Sequence, residues 1–407
     1  MDAFEKLVRQ YAPYSTLVGW LTVVSVFIPM LSVYYETCSG RFLVLLSTTV
    51  SLWVVEVIPL WVTAMLIPLF AVIFKVMEED AIPLSGSAAS EILFRGMFGS
   101  VPLTLLAKFA LSEALKLYGP IRLVPKAWIF AIAKLSWPLL VFCTMIFIIL
   151  LSPFIGNIPA TEITLSLLRP LTDNLRIDSV KSNTLYGGIL VAASLGGFTS
   201  PIAGAASIFA FDLAVRKGYS SVTWSVWMFT AFPIALITGV ASWVIILVYY
   251  YACNGPNERI FKDASSSPVI LYKIDEKSKK ELSMIMMLYF FTTLGWIASG
   301  YLNDSIGQMG IVSLMPIIVL FGSKLLQTAD LNRIPWHVIL LAIGGGALSA
   351  AAEHSGYLQY VSSHYIRGLH WSLFIILPTV FSLYKSQFVT CLLFLPAIVA
   401  SNSDFDL

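Results

Sequence analysis

Residues 137–172 and 182–214 constrain the fold most. Both are apolar runs of bilayer length, and both are interrupted by residues that an α-helix tolerates poorly. The first holds Pro138, Pro153, Gly156, Pro159 and Pro170, and the second Gly196, Gly197, Pro201 and Gly204. An unpaired amide in hydrocarbon costs several kcal/mol, so backbone that breaks at that depth survives only where protein buries it or where it lines a wet cavity. Such a break is where a transporter holds its solute. Ordinary kinked helices are the alternative, because Pro and Gly are common in membrane spans.

Further apolar runs cover 17–35, 42–77, 92–117, 224–252, 283–302, 308–326, 334–355 and 369–400. A hydrocarbon core of about 30 Å is crossed by ~20 residues in helix. The run 42–77 has 36 residues, too many for one crossing, and Pro59 near its middle predicts two spans. The leader with Asp2, Glu5, Lys6 and Arg9 has no small-residue cleavage site behind the first run, which predicts an uncleaved span. Nine spans and two re-entrant hairpins are expected. With 58% hydrophobic and 12% charged residues the chain cannot cover a water-soluble globule, and the lipid bilayer is its expected surroundings.

Charge and chemistry narrow the function. Twenty-five Lys and Arg against 23 Asp and Glu leave +2, too little for a polyanion surface, so nucleic acid is not a partner. Cys38, Cys143, Cys253 and Cys391 lie far apart without paired spacing and read as small core residues. The histidines, at 337, 354, 364 and 370, lack metal-site spacing, and no nucleophile, base and oxyanion set converges, so neither an enzyme nor a cofactor is indicated.

Orientation follows from the basic residues. Arg259, Lys262, Lys273, Lys277, Lys279 and Lys280 put the polar linker 253–281 in the cytosol, and Glu78, Glu79 and Asp80 then fall outside. Residues 108–119 (KFALSEALKLYG) align without gaps on 345–356 (GGALSAAAEHSG), and each copy precedes a Pro-bearing run of hairpin length. The expected architecture is an all-α polytopic membrane protein, an inverted-repeat transporter with two re-entrant hairpins and a broken helix. Its parts are scaffold spans in 1–136, then the first hairpin, broken helix and following span in 137–252 and the linker 253–281. Second-repeat scaffold spans follow in 282–368, and a second hairpin in 369–407.

Six ionisable groups lie at bilayer depth: Glu56, Lys108, Glu113, Glu162, Arg169 and Asp212. Glu56, beside Pro59, reads as structural. Glu162 and Arg169 stand seven residues apart on one helix face, which predicts either a shared polar pocket or pairing with neighbours.

The residues also carry a family likeness. Residues 52–64 (LWVVEVIPLWVTA) resemble the W-x-T-E-A-I-P-x-x-V-T-A segment of the divalent anion/sodium symporter family. Residues 152–160 (SPFIGNIPA) resemble its first hairpin motif, S-x-x-x-S-N-T, and 192–202 (AASLGGFTSPI) its discontinuous helix, with an ending closest to the fungal low-affinity phosphate branch. Residues 340–348, the segment 386–390 (SQFVT) and Pro396 resemble the second repeat.

The resemblance implies an elevator-type secondary transporter of inorganic phosphate or a similar small divalent anion, coupled to sodium or protons. It further implies a homodimer, in the plasma membrane rather than the vacuolar or another endomembrane. Carried over residue by residue, it assigns Asn157, Ser200, Ser207, Ser386 and Gln387 to the anion, and Ser152, Gly156, Asn157 and Gly204 to a first cation site. Departures accompany it. Gly156 and Ile158 stand where the motif has Ser and Thr, Gly204 to Ser207 replace S-P-Q-N, and Gln387 replaces Asn or His. The chain stops at Leu407, before the family's second broken helix and final span, which makes a transport-inactive scaffold or complex subunit the alternative.

Overall fold

In the computed structural model, residues 17, 19–32, 34–80, 82–118, 135–174, 179–219, 221–254 and 276–357 are described. The expected second hairpin, with Ser386 and Gln387, and most of the 253–281 linker lie outside the described residues.

Helix α1 spans Gly19–Ser32. Thr37 opens α2 (Cys38–Val55), its hydroxyl accepting the Gly40 amide at 3.0 Å, as an N-cap side chain does. The helix ends at Glu56, whose φ of 54° is left-handed, and Pro59 restarts the chain as α3 (Leu60–Ile73). The expected division of the 42–77 run therefore occurs, three residues earlier than Pro59 itself. Trp53 fastens the break by donating its indole N–H to the Leu60 carbonyl at 3.0 Å. Among the described residues the only β structure is a two-residue hairpin, β1 (Glu78–Glu79) with β2 (Ile82–Pro83). Then come α4 (Gly86–Met97) and α5 (Ser100–Tyr118), separated by a break at Phe98 and Gly99 that the continuous run 92–117 did not announce.

The chain continues with α6 (Trp137–Ile155), α7 (Asn157–Asn174), α8 (Ser179–Gly196), α9 (Ala205–Arg216), α10 (Trp224–Asn254) and α11 (Glu276–Tyr301). The short helices α12 (Asn303–Ile306), α13 (Met309–Val312) and α14 (Leu314–Gly322) lead through a 3₁₀ turn (Thr328–Arg333) into α15 (Trp336–Glu353). Among the described residues six segments are long and apolar enough to cross a membrane, and Gly19–Ser32, Leu60–Ile73 and Met309–Gly322 are shorter apolar helices. On α10, Phe229, Ile237 and Ile245 are 83%, 71% and 71% exposed at positions spread around much of the helix, an arrangement that water would penalise and lipid accepts. The protein is an all-α, multi-pass integral membrane protein.

Two compact units form: residues 1–102 with 335–407, and 103–334. In the first, α15 packs on α3 and α4 through its glycines. A Cβ on Gly344 would run into the Ala64 carbonyl, and one on Gly346 into Gly96, 3.0 Å from its carbonyl carbon. In the second, α6 and α8 run side by side in the same direction. Trp137 donates to Thr184 at 3.0 Å, a Cβ on Gly188 would fall 2.9 Å from Val141, and one on Gly196 would fall 2.7 Å from the Ser152 Cβ. α7 must therefore return from the end of α6 to the start of α8, making a helical hairpin with Gly156 at its tip. α10 runs back along α6, with the Trp243 indole on the Pro138 carbonyl at 2.9 Å. The cysteine expectation holds for Cys38, which is buried; Cys253 is exposed at the end of α10.

Candidate functional site

Gly156 ends α6 with its amide on the Ser152 carbonyl at 2.8 Å and a φ of +91° with ψ of 159°, a conformation open essentially to glycine alone. The turn throws Asn157 forward, and its backbone N–H donates to the Ala203 carbonyl at 3.0 Å. That carbonyl belongs to residues 197–204, the unwound stretch between α8 and α9 that the paired glycines and Pro201 predict.

The stretch is held by side chains. Thr199 donates to Gly196 at 2.7 Å, Ser200 to Pro153 at 2.8 Å and Ser207 to Gly197 at 2.8 Å. The Trp227 indole donates to Phe198 at 2.9 Å, and the Tyr289 hydroxyl to Ile155 at 3.0 Å on the hairpin side. Thr199 and Ser200 are completely buried. Gly204 has no room for a side chain, since a Cβ would meet the Gly197 carbonyl.

Six of the sequence-assigned residues thus converge in the second unit: Ser152, Gly156, Asn157, Ser200, Gly204 and Ser207. Their chemistry is specific. The Ser152, Ser200 and Ser207 hydroxyls all give their protons to backbone carbonyls, Ser152 to Ile148 at 2.6 Å, so what each has left is lone pairs, suited to a cation or to a protonated oxyanion. Asn157 uses its amide nitrogen on Ala193 at 3.3 Å and accepts the Ile158 amide on its oxygen at 3.0 Å. α9 starts with no side-chain cap on its first-turn amides, and that end of a helix carries partial positive charge.

Lys108 of α5 completes the junction, and motif reasoning gave it no role. It is 4% exposed, and its ammonium donates to the Ala203 carbonyl at 2.6 Å. Its cost in an apolar run singled it out, but nothing in linear spacing connects it to a carbonyl 95 residues away. Tyr289 and Trp227 left no comparable signal.

A second polar cluster joins α5, α7 and the 3₁₀ turn. Lys116 lies 2.8 Å from Glu162 and 3.6 Å from Glu113, and Glu113 lies 3.5 Å from Arg333. Glu162 therefore pairs with a lysine of another helix; the Arg169 side chain lies outside the described residues. Asp212 pairs with Arg216 at 2.9 Å, one turn along α9. In the first unit a cavity of about 300 Å³ is lined by apolar groups such as Trp20, Phe27, Leu52 and Phe70, with no charge to hold an anion.

A helical hairpin tip docked on the unwound middle of a broken helix, in a polytopic helical protein, is the arrangement in which secondary transporters hold their solutes. Residues 50–406 match the CitMHS citrate transporter family, and the chain belongs to that family. It is similar to the inorganic phosphate transporter PHO87 of Saccharomyces cerevisiae, 27% identical over 85% of this chain and 36% of that protein. It is also similar to the low-affinity phosphate transporter PHO90 of the same yeast, 29% identical over 81% and 36%. An uncharacterized transporter of Haemophilus influenzae is 22% identical over 91% of this chain and 78% of its own length. The chain spans a little over a third of the yeast relatives it matches.

Proposed function

We propose that the chain is a secondary active transporter of inorganic phosphate or a similar small divalent anion, coupled to sodium or protons and moving by an elevator motion. The observation that carries this reading is the docking of Gly156 and Asn157 on residues 197–204, which puts helix-start amides, hydroxyls and unwound carbonyls into one buried polar junction. Amides at a helix start attract an anion, and carbonyls with hydroxyl lone pairs suit a hard cation. In this reading Asn157, Ser200 and Ser207, with Ser386 and Gln387, bind the anion; Ser152, Gly156, Asn157 and Gly204 surround the first cation position. The two yeast relatives named as phosphate transporters favour phosphate over the citrate of the family's description.

The reading extends to a homodimer in the plasma membrane, with 253–281 cytosolic and 78–82 outside. It takes 1–136 and 282–368 as scaffold, and 137–252 and 369–407 as the transporting part. Phosphate uptake into proteoliposomes, with citrate and sulfate as competitors, tests it. Replacing Asn157 by Ala is expected to weaken phosphate about tenfold or more, through loss of one buried amide. Unchanged uptake would refute the site, whereas folded protein that moves none of these anions would point to the scaffold alternative.

A further inference from the structure

We propose that the Lys108 ammonium is a tethered cation, seated where the hairpin tip meets the broken helix, and that it takes the place of a sodium ion there. The inference rests on the transport reading for the meaning of that position and on the geometry for its occupant.

Three observations converge. First, the ammonium donates to the Ala203 carbonyl at 2.6 Å, and the same oxygen accepts the Asn157 amide at 3.0 Å. One carbonyl of unwound backbone thus joins α5, the hairpin tip and the 197–204 stretch, which is the job a bound hard cation performs at a broken helix. Second, the space at the tip is already filled. A Cβ on Gly156 would overlap the Lys108 Cε and lie 2.8 Å from its Nζ, so the missing side chain at 156 and the long one at 108 are halves of one fit. Third, Lys108 is 4% exposed and, among the described residues, has no carboxylate within ion-pairing distance. No acid among the described residues takes up its charge, which can then offset an arriving anion.

A sodium ion on the Ala203 carbonyl would sit within contact range of the ammonium, and like-charge repulsion in a buried site opposes it strongly. The junction is therefore closed to sodium while Lys108 is present. The ammonium itself fills the first cation position of the transport reading, and of the two coupling ions named there only the proton is compatible with this position. Removing the side chain leaves a space beside the Ala203 carbonyl and the 156 backbone, where a small hard cation can take that oxygen and water as ligands.

Purified protein in detergent provides the test, read as the thermal unfolding midpoint against sodium chloride at constant ionic strength, with choline as the balancing cation. Wild type is expected to unfold at the same temperature in either salt. Lys108→Ala is expected to unfold lower in choline and to gain a saturable rise with sodium. Should the alanine variant fail to fold, Lys108→Gln, which keeps most of the stem, is expected to gain the same response. Wild type and variant responding to sodium alike would overturn the proposal. Because no anion flux is involved, a sodium response gained only by the variant would stand even if the protein moved no phosphate; flux in proteoliposomes decides the transport reading separately.

Discussion

The Ser200 hydroxyl donates to the Pro153 carbonyl at 2.8 Å, tying the unwound stretch to the last turn of α6 across 47 residues of sequence. Pro159 and Pro153 flank the tip, and the proline ring at 153 leaves the Ile149 carbonyl without its usual helical donor, so the hairpin's end depends on contacts from outside its own helix. Ser200→Ala removes one such contact and strands a buried acceptor. A loss of about 1 to 2 kcal/mol is expected, seen as a lower unfolding temperature in detergent.

Gly156→Ala meets two penalties, the conformational one at φ +91° and the overlap with Lys108. The first alone costs about 1 to 3 kcal/mol. In a double-mutant cycle with Lys108→Ala the overlap disappears, so the two changes together are expected to destabilise less than their sum by about 1 kcal/mol or more. Strict additivity would show that the two residues do not share this space.

How much of this was legible beforehand depended on whether the cause was local. Pro59 announces a helix break because its ring acts within a few residues, although the left-handed cap falls earlier, at Glu56; Gly156 and the glycines at 196, 197 and 204 announce theirs in the same local way. The Ser152, Asn157, Ser200 and Ser207 cluster was reached through family likeness at those breaks. Lys108 could be flagged by its cost in hydrocarbon, yet its partner at Ala203 is fixed by helix packing, which no periodicity encodes. The same limit applies to Glu162, whose pairing with Lys116 of α5 at 2.8 Å no spacing within α7 encodes.

Lys116→Ala tests that ion pair. With side chains 41% and 34% exposed, the pair is screened by solvent and contributes only about 0 to 1 kcal/mol. A shift of a few degrees or less in unfolding temperature is expected, smaller still in high salt.

Gly346→Ala addresses the other unit. The added methyl would meet Gly96, backbone against backbone, where no side chain can rotate away. Forcing α15 and α4 apart is expected to cost about 1 to 3 kcal/mol, measured as lost yield of folded protein and a lower unfolding midpoint. Gly322→Ala, a glycine with open space around it, is the control and is expected to be near neutral.

The hairpin tip also has a history during synthesis. Pro153 leaves the ribosome 47 residues before the Ser200 that will bond to its carbonyl, and at about 5 to 20 residues per second that gap lasts roughly 2 to 9 s. Lys108 is made earlier still, 95 residues ahead of its acceptor. For those seconds a buried ammonium and an unpaired turn wait without their partners, in surroundings where lipid would reject both. Insertion of this chain therefore requires α5 through α8 to be kept together in a wet or protein-lined place until Ala203 arrives, so that the translocation machinery releases them to lipid as a group and not one helix at a time.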